Sequence, residues 1–383
     1  MAPSLDKIVY PGSERYTAEE LAAPGMVPLD YGGDPIIKVV DTAYITFQVP
    51  DLQRQQRFLE DFGMRLVHAD DNTLYLRGCG PQPYIYKAEK GPVARFLGTG
   101  YTVGTLQELK SLASATGEPI TTLDEPGGGS RVRLHDPDGF IVDLVFGREM
   151  QAPLPTRREL YPVNTPENKP RVNLGQRPPL QPSAIERYGH CVVMTTNFKT
   201  SLQWYHKHLG VIATDVLCIG DGTPVMAFTR FDRGSSPADH HSLVLGQGVD
   251  ARYMHSAFET LDQDSIGQGQ QFLKLKGWKH FWGIGRHILG SQIFDYWLDP
   301  CGFEVEHYAD GDVFDDSYPT QYHLADRGGL WAWGDDVPDA IRPKRSLREL
   351  WKVINIVRRN ALDMKLFSQL FKAMQVPARP WLK

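Results

Sequence analysis

The chain has 383 residues, a formal net charge of −5, 41% hydrophobic residues and 23% charged residues. That length predicts two domains with extensions, and the acidic balance argues against nucleic acid, whose phosphates need a basic face. No apolar run reaches the roughly 18 residues that suggest a membrane span, so none is expected.

The N-terminus, Met1-Ala2-Pro3-Ser4-Leu5-Asp6, has no basic segment followed by an apolar stretch, and Cys79, Cys191, Cys218 and Cys301 lack CxxC spacing. Reduced thiols in a cytoplasmic protein are the expectation. Residues 1–36 are rich in Pro, Gly and charge and read as an N-terminal extension. Residues 37–149 form a first block. Val49-Pro50-Asp51 ends a strand, Phe58 to Phe62 lie on a short helix, and Gly63 closes it as a left-handed cap would. Asp136-Pro137-Asp138-Gly139 then makes a turn, because Pro pre-sets φ and Gly supplies freedom. An alternating strand leaves that turn.

Residues 150–185 are proline-rich, with Pro178, Pro179 and Pro182 near the end, and read as an extended linker. Residues 186–310 repeat the first block. Met194-Thr195-Thr196-Asn197 precedes a helix with Trp204 and Tyr205, Gly210 closes it, and Asp299-Pro300-Cys301-Gly302 repeats the turn. Each block divides again, giving strand–helix–strands units at 40–92, 95–149, 186–247 and 250–310. The expected class is α+β, two domains each of two paired βαβββ modules. Thr320 to Leu324 are expected to form a lid, and His323 has no assigned role. Residues 311–383 read as a C-terminal helical extension. Leu347, Leu350, Trp351 and Ile354 recur at helical spacing within 345–373. Packing on the second domain or a partner subunit is preferred over a membrane surface for this segment.

Three candidate metal ligands lie on three predicted strands of the second block: His190, His255 and Glu306. Two neutral imidazoles and one carboxylate on one face of an octahedral ion leave three positions open, as in non-haem Fe(II) enzymes. Glu304 and Glu306 share a strand face. Phase alone leaves either as the ligand, and Glu306 is chosen because acidic Asp143 occupies its place in the first block. Val192 and Met194 would point inward with His190. Aligning the halves sets Ala43 opposite His190, Gly100 opposite His255 and Asp143 opposite Glu306, so the first domain is degenerate and lacks the metal site. His240-His241 precedes an apolar strand. Only one of two adjacent strand residues points inward, and His240 is read as a solvated loop residue. The glycine-rich segment Gly283 to Pro300 adds His287 and Tyr296. Phe281 and Trp282 line either the entry or the core.

The segment Gly285-Arg286-His287, then Tyr296, Asp299-Pro300, Gly302 and Glu306, resembles the signature of type I extradiol dioxygenases such as catechol 2,3-dioxygenase and 2,3-dihydroxybiphenyl 1,2-dioxygenase. Duplicated βαβββ modules that pair into a curved sheet are the vicinal oxygen chelate architecture of that family. The resemblance covers residues 37–310 and is specific over 186–310. It implies Fe(II), with Mn(II) an allowed substitute, held by His190, His255 and Glu306. A catechol-type aromatic substrate and O2 bind there, and the ring is cleaved beside the diol to a muconic semialdehyde-type product, as in aromatic compound catabolism. His241 is then the acid/base, and Tyr296 and His287 act at the substrate oxygen. Val192 departs from relatives that carry a polar residue facing the oxygen site. A homo-oligomer is expected. The rival readings are a glyoxalase-like metal-dependent isomerase or lyase, which shares ligands between halves, and a non-catalytic binding protein of the bleomycin-resistance type.

Overall fold

Four helix–strand units set the architecture of the computed structural model, which describes residues 28–156, 162–219, 222–325, 327–338 and the single positions 351 and 368. Most of the N-terminal extension and the helices expected within 345–373 lie outside the described residues.

The first half contains strands β1 (Val39–Val49), β2 (Arg65–Ala69), β3 (Thr73–Arg77), β4 (Tyr86–Lys90), β5 (Arg95–Val103), β6 (Ile120–Thr122), β7 (Ser130–His135) and β8 (Ile141–Phe146). The second half adds β9 (Ile185–Thr195), β10 (Val211–Cys218), β11 (Pro224–Phe231), β12 (Ala238–Asp239), β13 (Leu243–Gln247), β14 (Arg252–Thr260), β15 (Lys279–Arg286), β16 (Ile293–Leu298) and β17 (Glu304–Ala309), then β18 (Val313–Phe314), β19 (Gln321–Leu324) and β20 (Trp333–Gly334). Helices Leu52–Phe62, Leu106–Thr116, Phe198–Leu209 and Gln263–Leu275 follow the first strand of each unit.

Local signals explain these helices. Asp51, Thr105, Asn197 and Asp262 are extended N-caps whose side chains accept backbone N–H groups three residues on. Gly117 and Gly210 end their helices at positive φ, where a β-carbon is disfavoured.

The first sheet runs β2-β3-β4-β1-β5-β8-β7-β6, and the second runs β19-β10-β11-β13-β9-β14-β17-β16-β15-β20. In each, the first strands of two units pair antiparallel at the centre, β1 with β5 and β9 with β14. Each central strand also pairs in parallel with the last strand of its unit. Residues 321–324 form β19, hydrogen-bonded beside β10 from Asp215↔Gln321 to Cys218↔Leu324. The expected lid is therefore an edge strand, because its backbone finds a free sheet edge to pair with.

One apolar cluster joins both halves, including Phe47, Phe58, Phe62, Tyr188, Phe258 and Val305. Polar ties cross the junction in matched pairs. Gln55 of the first helix donates to Asp299 at 2.8 Å, and Tyr205 of the third helix donates to Asp136 at 2.9 Å. Both aspartates open the Asp-Pro-x-Gly turns that lead into β17 and β8. His307 stacks on Phe62 with ring centroids 3.7 Å apart and donates to the Phe62 carbonyl at 2.7 Å. The first half thereby braces the strand that carries Glu306.

Candidate metal centre and active site

His190 stands on β9, His255 on β14 and Glu306 on β17, so three adjacent strands supply one ligand candidate each. Register brings them together: His190 lies across from Ala257, Ala257 across from Glu306, and His255 across from Val192 and Glu304. One potential ligand atom from each residue lies within 4.8 Å of the others, and they are the one such His/Cys/Asp/Glu group found among the described residues. His190 and Glu306 are buried and His255 is partly exposed, which leaves an open side.

The chemistry of this trio fits a divalent cation. Nε2 of His190 and Nε2 of His255 each lie 3.3 Å from Oε2 of Glu306. Yet both Glu306 oxygens are buried with no hydrogen-bond partner, so the nitrogens and oxygens converge without the alignment of a hydrogen bond. Burial opposes charge on Glu306, but His190 and His255 outweigh it and hold the carboxyl well below the usual carboxylate range. Burial lowers His190 below the usual imidazole value, keeping its lone pair available. A buried carboxylate with unsatisfied oxygens is costly unless a cation completes it. Glu304 shares the inward face but lies outside the convergent group, and burial raises its carboxyl to about 7.

Around the trio stand the expected acid/base and oxygen-binding candidates. The His241 ring lies 4.2 Å from that of His190. Burial, then His190, His240, His287 and His255, push its basicity well below the imidazole range. Tyr296 is cross-strand from Glu306 and its ring lies 5.0 Å from that of His255. His287 Nδ1 contacts the Leu330 carbonyl at 2.6 Å, and its Nε2 lies 3.0 Å from the Tyr296 hydroxyl. A carbonyl only accepts, so Nδ1 of His287 carries the proton and Nε2 accepts from Tyr296. Burial lowers His287 to about 4, consistent with this neutral ring. Val192 is buried and cross-strand from His255, an apolar neighbour to that ligand.

Two expectations change here, and one left open is decided. His240 is 1% exposed, not solvated. Residues 240–242 bend between β12 and β13, so the strand alternation that would send one of two adjacent histidines outward does not apply. Of the two positions left open for Trp282, it occupies the core: it packs among Phe294, Tyr296, Trp331 and Val337 and donates to the Asp335 carbonyl at 2.8 Å.

The second change concerns the match between halves. Tyr44 lies seven residues before the N-cap Asp51, as His190 does before Asn197. Tyr44 pairs with Gly100 and Gly100 with Asp143, just as His190 pairs with Ala257 and Ala257 with Glu306. Thr46 pairs with Gly98 as Val192 pairs with His255. The counterparts of His190 and His255 are therefore Tyr44 and Gly98, not Ala43 and Gly100. Sequence carries no register mark, and a slip of one residue reverses the face. By the same register Tyr84 matches His241 and Arg133 matches Tyr296.

Asp215, His240 and His323 were given no role from sequence. The available signal was Asp215 itself, an acid inside the apolar strand Val211–Cys218, which needs buried partners. It has them in His240 and His323.

Residues 187–307 match the sequence profile of the Glyoxalase/Bleomycin resistance protein/Dioxygenase superfamily. Metapyrocatechase 2 of Cupriavidus necator is 28% identical over 316 residues, covering 77% of this chain and 89% of that protein. Homoprotocatechuate 2,3-dioxygenase from Arthrobacter globiformis superimposes with a TM-score of 0.66 at 23% identity, covering 82% of this chain and 92% of the other. A Mn(II)-bound glyoxalase from Novosphingobium aromaticivorans gives 0.67 at 21% identity, covering 81% and 96%. These two structures establish the shared fold.

Proposed function

We propose, from a chain whose residues 187–307 match the Glyoxalase/Bleomycin resistance protein/Dioxygenase superfamily, that this protein is a non-haem Fe(II)-dependent extradiol dioxygenase. It inserts both atoms of O2 into a catechol-type ring beside the diol and releases a ring-opened, muconic semialdehyde-type product. The observation that carries the reading is a buried carboxylate with two unsatisfied oxygens, flanked by two imidazoles and faced by a third histidine and a tyrosine. The relative named metapyrocatechase supports it. Residues 186–310 are the catalytic domain, 37–149 the degenerate domain and 150–185 the linker between them.

His190, His255 and Glu306 would hold Fe(II), and Mn(II) suits the same nitrogen and oxygen donors. The bound ion supplies Lewis acidity toward the diol oxygens and a route for electrons between ring and O2. His241 takes a proton from a substrate hydroxyl and returns it to the departing oxygen, work for which a neutral imidazole is suited. Tyr296, whose proton otherwise rests on His287, turns its O–H to the deprotonated substrate oxygen. His287 keeps Tyr296 in place through the Leu330 carbonyl. Val192 keeps its side of the site apolar. Among the described residues no helix is long and apolar enough to cross a membrane. The free thiols of Cys79, Cys191, Cys218 and Cys301 support a cytoplasmic enzyme. The exposed Leu66 and Val67 on edge strand β2 support assembly into a homo-oligomer.

The test is anaerobic loading with Fe(II), then substituted catechols and O2. The expected outcome is stoichiometric oxygen uptake with a yellow ring-opened product. Isomerase or lyase activity with a non-redox metal, or catechol binding without turnover, would overturn the reading.

A further inference from the structure

Behind His241, away from the metal centre, lies a buried polar chain that the proposed reaction does not account for. Asp215, His240 and His241 are 4%, 1% and 5% exposed, and His323 is 1% exposed. Nδ1 of His241 lies 2.8 Å from Nδ1 of His240. Nε2 of His240 lies 2.5 Å from Oδ2 of Asp215, and Nε2 of His323 lies 2.6 Å from Oδ1 of the same carboxylate. The backbone is shaped for this. A β-bulge between Ala213 and Asp215 re-aims Asp215. Phe228 and Phe314 wall the rings, their centroids each 5.8 Å from that of His240. Gly290, at φ +82°, closes over the pair, and a β-carbon there would sit 3.1 Å from Nδ1 of His240.

The proton positions follow by elimination. An ionised carboxylate only accepts, so His240 and His323 both donate to Asp215 through Nε2. Burial opposes charge on Asp215, but these two hydrogen bonds prevail and hold it at about 2. With its proton on Nε2, a neutral His240 has a lone pair on Nδ1. His241 must then carry its own proton on Nδ1 and leave Nε2, at the far side of its ring, unprotonated.

We propose that Asp215, acting through His240, is a positioning device for His241: it selects the tautomer whose bare Nε2 faces the substrate oxygen. His323, from a strand C-terminal to the superfamily domain, anchors the second oxygen of Asp215 and keeps the carboxylate from rotating. What the base does rests on the proposed dioxygenase reaction, whereas the tautomer does not. This is the logic by which a buried aspartate orients a catalytic histidine in hydrolases, built here with one imidazole interposed.

The experiment is 15N NMR of histidine-labelled protein loaded with diamagnetic Zn(II), beside steady-state kinetics of the Fe(II) form. The wild type should show the His241 proton on Nδ1. Asp215→Asn replaces one of the two acceptor oxygens by a donor amide, so it no longer holds both His240 and His323 as Nε2 donors, and the single Nδ1–H state of His241 should give way to a mixture of tautomers. That variant should lose about 10²–10⁴-fold in kcat, with KM for catechol and metal content within about threefold of wild type, a split that a merely structural role would not give. If Asp215→Asn does not fold, His240→Phe keeps the ring packing and should abolish the single Nδ1–H state. A His241 proton on Nε2 in the wild type, or an unchanged tautomer and kcat in both variants, overturns the proposal. Wild-type protein with the stated tautomer but no ring cleavage would count against the dioxygenase reading alone.

Discussion

Matched positions in the two halves hold different groups at all but the inward acid. Tyr44, Gly98, Tyr84, Arg133 and Asp143 in the first half stand where the second has His190, His255, His241, Tyr296 and Glu306. The carboxylate survives in both, but its surroundings differ. Asp143 accepts from the Tyr44 hydroxyl at 2.9 Å and from Arg133 at 2.8 and 2.9 Å, with Arg131 3.5 Å away. Tyr84 is bonded to Glu125, and Arg148 lies over the Tyr44 and Tyr84 rings. Glu306, equally buried, has no hydrogen-bond partner. One scaffold thus uses the same inward acid in two ways. Saturated by hydrogen bonds it is a structural pin, and left unsaturated beside two imidazoles it is the proposed cation site. Gly98 makes the first state hard to reverse, since a β-carbon there would lie 2.0 Å from the Ile141 carbonyl oxygen.

Breaking the trio tests the comparison most severely. Glu306→Ala and His255→Ala should each abolish tight Fe(II) binding, read as iron per chain after desalting, and ring cleavage with it. The mirror change, Asp143→Ala, should leave iron stoichiometry and kcat near wild type while costing about 1–3 kcal/mol in denaturant unfolding, because it leaves the buried Tyr44 hydroxyl unpaired and the partly exposed Arg133 without its carboxylate. If instead iron falls and stability holds, the first half is a binding site and the contrast fails. His241→Asn should retain iron yet slow turnover by about 10²-fold, and unchanged turnover would remove His241 from the mechanism. The smallest effect is expected at the junction. Tyr205→Phe, which loses the hydrogen bond to Asp136, should cost about 1 kcal/mol, with iron content untouched. The matched change at Gln55, whose partner Asp299 opens the Glu306 turn, should also raise the iron dissociation rate.

Much of this was readable before any coordinates. The four units and the Asp-Pro-x-Gly turns rest on local chemistry, caps, φ preferences and period-two alternation, and the candidates His190, His255 and Glu306 rest on the internal repeat, which alone separates Glu306 from Glu304. The register was not readable. Ala43 and Gly100 look like reasonable partners for His190 and His255, yet a bulge near Thr46 and the pairing of β1 with β5 select Tyr44 and Gly98. His240 looked solvated because a bend, invisible to alternation, turns both histidines inward. Asp215 and His323 are separated by 108 residues and meet only because β19 pairs with β10.

The amino-acid order alone determined which segments turn, coil or extend, and which residues are able to ligate a cation, because those are properties of single side chains and their near neighbours. Which carboxylate stays unsatisfied and which histidines meet Asp215 were decided by strand register and burial. These depend on atoms brought within hydrogen-bonding distance from far along the chain, where a displacement of one residue sends a side chain to the opposite face.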